Sequence, residues 1–111
     1  MTLKERLEPV KRALVRAVGN KCYHHFRTGI KPPYVIWAED NGTGQQADGR
    51  KAEQAIEGTI DLFTKTEYDT LFDAIQRELN LEPSIVYWEL NSTQYEEETG
   101  LTHYEWVWQV M

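Results

Sequence analysis

Cysteine is almost absent from this chain. Cys22 stands alone in 111 residues, so no intramolecular disulfide can form, and the expectation is a protein made in a reducing cytoplasm. Long apolar runs are lacking too: Met1 to Gly19 is basic and amphipathic rather than continuously hydrophobic, so neither a secretory leader nor a membrane span is expected. No internal repeat, helix-turn-helix, zinc-finger or RNA-recognition signature is present, which argues against a sequence-specific reader of nucleic acid. Asp40-Asn41-Gly42-Thr43-Gly44 superficially suggests a calcium or phosphate loop. It lacks oxygen ligands at positions 42 and 44, has no Glu twelve places in, and has no Lys-Ser/Thr pair opening a helix.

What the chain does have is aromatic bulk and an uneven distribution of charge. Four Trp and six Tyr exceed what a minimal core of this length needs, and such side chains serve in cores and interfaces alike. The net charge is -6, yet residues 1–33 carry eight Lys or Arg against Glu5 and Glu8, and the remainder is strongly acidic. Two surfaces of opposite sign can attract each other between copies of one chain. The plainer account is a solvated basic helix beside a solvated acidic sheet.

The hydrophobic period organises the rest. Leu3, Leu7, Val10, Leu14 and Val18 recur at helical spacing, Thr2 and Glu5 have the spacing of a capping box, and Gly19-Asn20 ends the segment. Pro9 predicts a kink, or a helix that begins properly near Glu8. Lys21 to Phe26 reads as a short strand, Thr28 to Pro33 as a connector, and Tyr34 to Ala38 as a strand covered on both faces. Asp40 to Arg50, rich in Gly, Asp, Asn and Gln, reads as an exposed, mobile loop.

The landmark is the joint from Ile56 to Leu79. Ile56, Gly58, Ile60 and Leu62 alternate as in a half-buried strand; Thr66 then offers an N-cap with Asp69 in the first turn, and Tyr68, Leu71, Phe72, Ile75 and Leu79 form one helical stripe. Ile85 to Tyr95 and Leu101 to Val110 read as a hairpin, with Gly100 supplying the positive φ of its loop. The expected fold is α+β: one domain over residues 1–111, with an antiparallel sheet of four or five strands and two helices packed on one face.

No candidate active site emerges, and none is expected. Cys22 with His24 invites a nucleophile hypothesis, but along a strand residues 22 and 24 point one way and 25 the other, with no acidic orienter in the segment. A metal site from His24, His25 and His103 has no close-spaced ligand signature, and no cofactor is expected. Lys4, Arg6, Lys11, Arg12 and Arg16 could meet phosphates, but the acidic total opposes this. The candidate functional residues are instead protein-interface residues in three patches: Lys4, Arg12 and Arg16 on the first helix; Asp40, Asn41, Gly44 and Asp48 in the glycine-rich loop; and Glu96, Glu97 and Glu98 at the hairpin tip.

Three segments, Pro33 to Asp40, Gly58 to Lys65 and Gln94 to Trp106, resemble small tail proteins of long-tailed phages and prophages of Gram-positive bacteria, of the tail completion or tail terminator kind. That resemblance implies a non-enzymatic structural subunit closing into a homo-oligomeric ring, a hexamer, at the head-proximal end of the tail tube. Its partners would be the tail tube protein and a head-tail connector protein. No membrane or sequence-specific nucleic acid would be involved, although DNA would pass through the ring. The location would be the virion tail, after assembly in the host cytoplasm. A head-tail connector component of the same virion, or a small intracellular ligand-binding or regulatory domain, are the alternative readings.

Overall fold

The computed structural model describes residues 1–40 and 55–111. The first helix, α1, runs Leu3–Val18 and begins with the expected capping box: Glu5 N–H donates to Thr2 Oγ1 at 3.2 Å, and Thr2 N–H donates to Glu5 Oε1 at 2.8 Å. Pro9 neither starts nor ends it. Its ring is buried in the same stripe as Leu7, Val10, Ala13 and Leu14, so apolar packing offsets the one hydrogen bond that a proline cannot donate.

Strand β1 is only Cys22–His24, shorter than expected, because His25 turns to a φ of 69° and leaves the extended region. Then come β2 (Tyr34–Asp40), β3 (Ile56–Thr64), helix α2 (Thr70–Asn80), β4 (Ile85–Glu96) and β5 (Leu101–Val110). The fold is α+β, with a five-stranded sheet in the order β1-β2-β3-β5-β4. The expected antiparallel pairing holds for β2–β3, β3–β5 and β4–β5, whereas β1 lies parallel to β2 and makes the sheet mixed. Gly100, at φ 71°, closes the β4–β5 hairpin and donates its N–H to Glu96 O at 2.9 Å.

Strand register decides which side chains share a face. Trp37, Ile60, Trp106 and Leu90 form one row across β2, β3, β5 and β4, and Val35, Leu62, Tyr104 and Thr93 form the next. Leu7, Val10 and Leu14 of α1 and Ile75 and Leu79 of α2 pack on this one face. β2 is therefore not covered on both sides: Val35 and Trp37 are buried, while Tyr34 and Ile36 on the reverse are half-buried. Trp106 and Trp108 are fully buried, and Trp106 Nε1 donates to Gln76 Oε1 of α2 at 3.0 Å. The Trp108 ring lies on Gly58, where any Cβ would collide with that indole and with the Ala38 carbonyl.

The start of α2 also differs from expectation. Its N-cap is Asp69, whose Oδ1 accepts from Leu71 N–H at 2.9 Å while its Oδ2 accepts from the buried Thr64 hydroxyl at 2.6 Å. Thr66 does not cap, although its N–H donates to Thr64 Oγ1 at 3.1 Å. Tyr68 stands outside the helix at φ 53° and is exposed rather than part of the stripe. Thr64 ends β3 buried, so it can reach the cap from the sheet and tie strand to helix.

Candidate functional site

Of the basic residues on α1, Arg12 and Arg16 are committed within the chain. Arg12 donates through Nε and Nη2 to both oxygens of Glu82, at 3.1 and 2.7 Å, and Arg16 donates to Glu78 Oε1 and Glu82 Oε2, each at 2.7 Å. Arg12 and Arg16, at i and i+4 on α1, face Glu78 in the last turn of α2 and Glu82 just beyond its C-cap, so two guanidiniums meet two carboxylates. Glu82 is 5% exposed and the Arg12 side chain 51%, so the cluster is closed below and open above. The Arg12 hydrogen bond, joined by that from Arg16, outweighs the burial that opposes ionisation and holds the Glu82 carboxyl down at about 2. The two arginines thus clamp α1 to α2.

Lys4 lies on another side of α1. With Leu3, Leu7, Lys11 and Val15 it walls a groove of about 650 Å³, whose far side is Cys22, Tyr23, His24, Trp37 and Glu39. Burial pushes the Cys22 thiol above its ordinary value, the opposite of what a thiolate nucleophile requires.

The strand geometry expected at residues 22–25 is overturned at its end. Because His25 is left-handed, its ring returns to the side of His24 instead of pointing away; the two imidazoles stack with centroids 3.9 Å apart, and His24 stacks on Trp37 at 4.3 Å. His25 N–H donates to Trp37 O at 2.8 Å, which holds the turn. His24 Nε2 lies 2.7 Å from Glu39 Oε1. Burial opposes the charged form of Glu39, but the hydrogen bond with His24 carries its carboxyl below the usual value. His103 takes no part in this group. It lies on the opposite face, stacked on Phe63 at 4.3 Å with Nε2 2.7 Å from Asp61 Oδ1. Burial raises the Asp61 carboxyl, and the contact with His103 only partly offsets this.

Glu96, Glu97 and Glu98 sit exposed at the hairpin tip, where Glu96 Oε1 accepts from the Thr99 hydroxyl at 3.0 Å. Asp40 ends β2 opposite Glu57, and Asn41, Gly44 and Asp48 lie outside the described residues. The predicted interface residues that are described, on α1, at Asp40 and at the hairpin tip, therefore do not converge. Sequence reasoning passed over the outer strand, β4. Among the described residues it is paired on one side only, to β5, through ten of its twelve residues with irregularities at Val86 and Asn91, and it carries exposed Val86, Tyr87, Leu90 and Tyr95. The available signal was the aromatic and branched content of a strand near the end of the chain.

Comparison by sequence finds no matching family model and no matching curated protein. Comparison by structure does find similarity. A chain from the virion of a native gene transfer agent (GTA) particle superposes with a TM-score of 0.59 at 16% identity, over 97% of this chain and 92% of that one. The likeness is one of fold. It extends through both helices and the whole sheet rather than a shared fragment, since so little of either chain is left outside it.

Proposed function

We propose that the chain is a non-catalytic structural subunit of a phage-like virion, and that it closes into a homo-oligomeric ring, a hexamer, ending the tail tube at its head-proximal side. The observation that carries this reading is the near full-length fold similarity to a chain of a gene transfer agent virion. The resemblance of Pro33 to Asp40, Gly58 to Lys65 and Gln94 to Trp106 to tail terminator proteins narrows it to that position in the particle. The ring's neighbours are then the tail tube protein on one side and the head-tail connector protein on the other, and the ring belongs to the virion tail.

Strand β4 supports the oligomer. A long outer strand with exposed apolar side chains, bent at Val86 and Asn91 but carrying no proline, is a surface that proteins ordinarily pair or cover, and a ring covers it with a neighbour. Rings use unlike patches on successive copies, and the acidic tip at Glu96 to Glu98 and the lysines of the groove, Lys4 and Lys11, are unlike patches of this kind. Arg12 and Arg16 are left out of that pairing because Glu78 and Glu82 already engage them.

The test is loss of the gene from its virus, followed by electron microscopy of lysates. Overlong tubes and unjoined heads are expected. Tails of normal length joined to heads would overturn the proposal. Sedimentation of the purified chain tests the ring separately: a concentration-independent monomer counts against it.

A further inference from the structure

We propose that His24, His25 and Glu39 form a binding site for a divalent transition-metal cation of the zinc class, at the β1 edge of the sheet. One ligand atom from each of the three residues lies within 4.8 Å of the others. Strand register puts His24 beside Trp37, and Glu39 two residues further along β2 on the same face. The third ligand comes from a backbone feature. An extended residue 25 would carry its ring to the opposite side, but at φ 69° it folds back over His24. A left-handed conformation in a residue with a Cβ is uncommon, and such outliers gather at functional positions.

The donor set selects the ion. Two imidazole nitrogens and one carboxylate oxygen suit zinc and its neighbours, whereas calcium and magnesium favour oxygen alone and copper(I) favours thiolate. Metal–ligand bonds of about 2.1 Å in a tetrahedron separate the ligand atoms by about 3.4 Å. The His24–Glu39 contact of 2.7 Å would open by roughly 0.7 Å, the longer separations would close by up to roughly 1.4 Å, and the two stacked imidazoles would tilt apart to aim a nitrogen each at one ion, all by side-chain rotation at a solvent-facing position. Three protein ligands leave the fourth position for water or a donor from another molecule. Cys22 is not part of the set: its Sγ approaches Gly19 O at 3.5 Å, and burial favours its protonated form. The cation would join the three-residue edge strand β1 to β2, replacing a hydrogen bond with coordinate bonds at the rim of the groove.

The experiment is calorimetric titration of the full chain, free of any affinity tag, with Zn²⁺ in a non-chelating buffer, alongside thermal unfolding and the visible spectrum with Co²⁺. One equivalent bound, a higher Tm with zinc, and the absorption of a four-coordinate cobalt ion are expected. Two variants make the assignment specific. His25→Gly removes a ligand and suits the positive φ, so the fold is retained; Glu39→Gln keeps an acceptor for His24 but removes the charged donor. Each should weaken zinc binding more than about tenfold, while His103→Gln on the opposite face should leave it unchanged. No saturable binding, binding that survives either of the first two substitutions, or equal loss in His103→Gln would overturn the site.

Discussion

The helix-covered face of the sheet and its outer strand β4 are built from the same kinds of residue and do different things with them. Trp106 and Trp108 on β5 are wholly enclosed, whereas Tyr87, Leu90 and Tyr95 on the next strand stand 43%, 38% and 64% exposed. Register accounts for the difference. Trp106 lies between Ile60 and Leu90 across the sheet, under Phe72 and Gln76 of α2, while Tyr95 pairs with Thr102 near the hairpin tip, beyond the helix cover. Aromatic content alone therefore does not say whether a strand's side chains are enclosed or exposed; register and the extent of the helix cover do.

The contrast can be broken first from the buried side. Trp106→Ala should cost about 3–5 kcal/mol, read from denaturant midpoints, because the cavity opens in the fully buried core beneath α2. Gly58→Ala should cost about 3 kcal/mol, since the added methyl meets the Ala38 carbonyl and Trp108 together and backbone yields little. A Gly58→Ala protein as stable as its parent would show that Trp108 can lift away.

Glu82 gives a smaller effect with a pH signature. Its folded pKa is held near 2, below the ordinary carboxylate value of 4.5, so its contribution is fully present above about pH 4.5 and is lost as pH falls towards 2. Glu82→Gln should lower the Tm at pH 7 and flatten the acid dependence between those limits. Unchanged acid dependence would mean that the Arg12 and Arg16 contacts contribute little to stability.

The smallest change in stability is expected on β4. Val86→Lys with Tyr95→Lys should alter unfolding free energy by no more than about 0.5 kcal/mol per site, because both side chains are largely exposed, yet shift sedimentation towards monomer. A double variant that keeps its oligomers would remove the outer strand from the subunit contact.

Features fixed by neighbours in the chain were legible in the sequence. The Thr2–Glu5 box, the alternation of β3 and the turn at Gly100 each depend on a few adjacent residues, and each stands where periodicity placed it. Features that depend on distant residues were not. Thr66 and Asp69 are both acceptable caps; Asp69 prevails because the buried hydroxyl of Thr64 reaches it from the sheet. Arg12 and Arg16 read as a free basic patch because their carboxylate partners, Glu78 and Glu82 at the end of α2, lie 62 to 70 residues away. A three-residue strand carries too little pattern to reveal a parallel pairing. The left-handed turn at His25 has no glycine to announce it, and with it the grouping of His24, His25 and Glu39 stayed hidden.

The bare Cα of Gly58 has a consequence for how the sheet can assemble. Sliding β3 past β5 by two residues keeps every side chain on its own face, so hydrophobicity alone would tolerate the slip. It would, however, bring Ile56 or Ile60 under the indole of Trp108, where not even a methyl group fits. The pair behaves like a key and its slot: it admits one alignment of the two central strands, and so fixes where the outer strand and the hairpin tip come to rest relative to the helices.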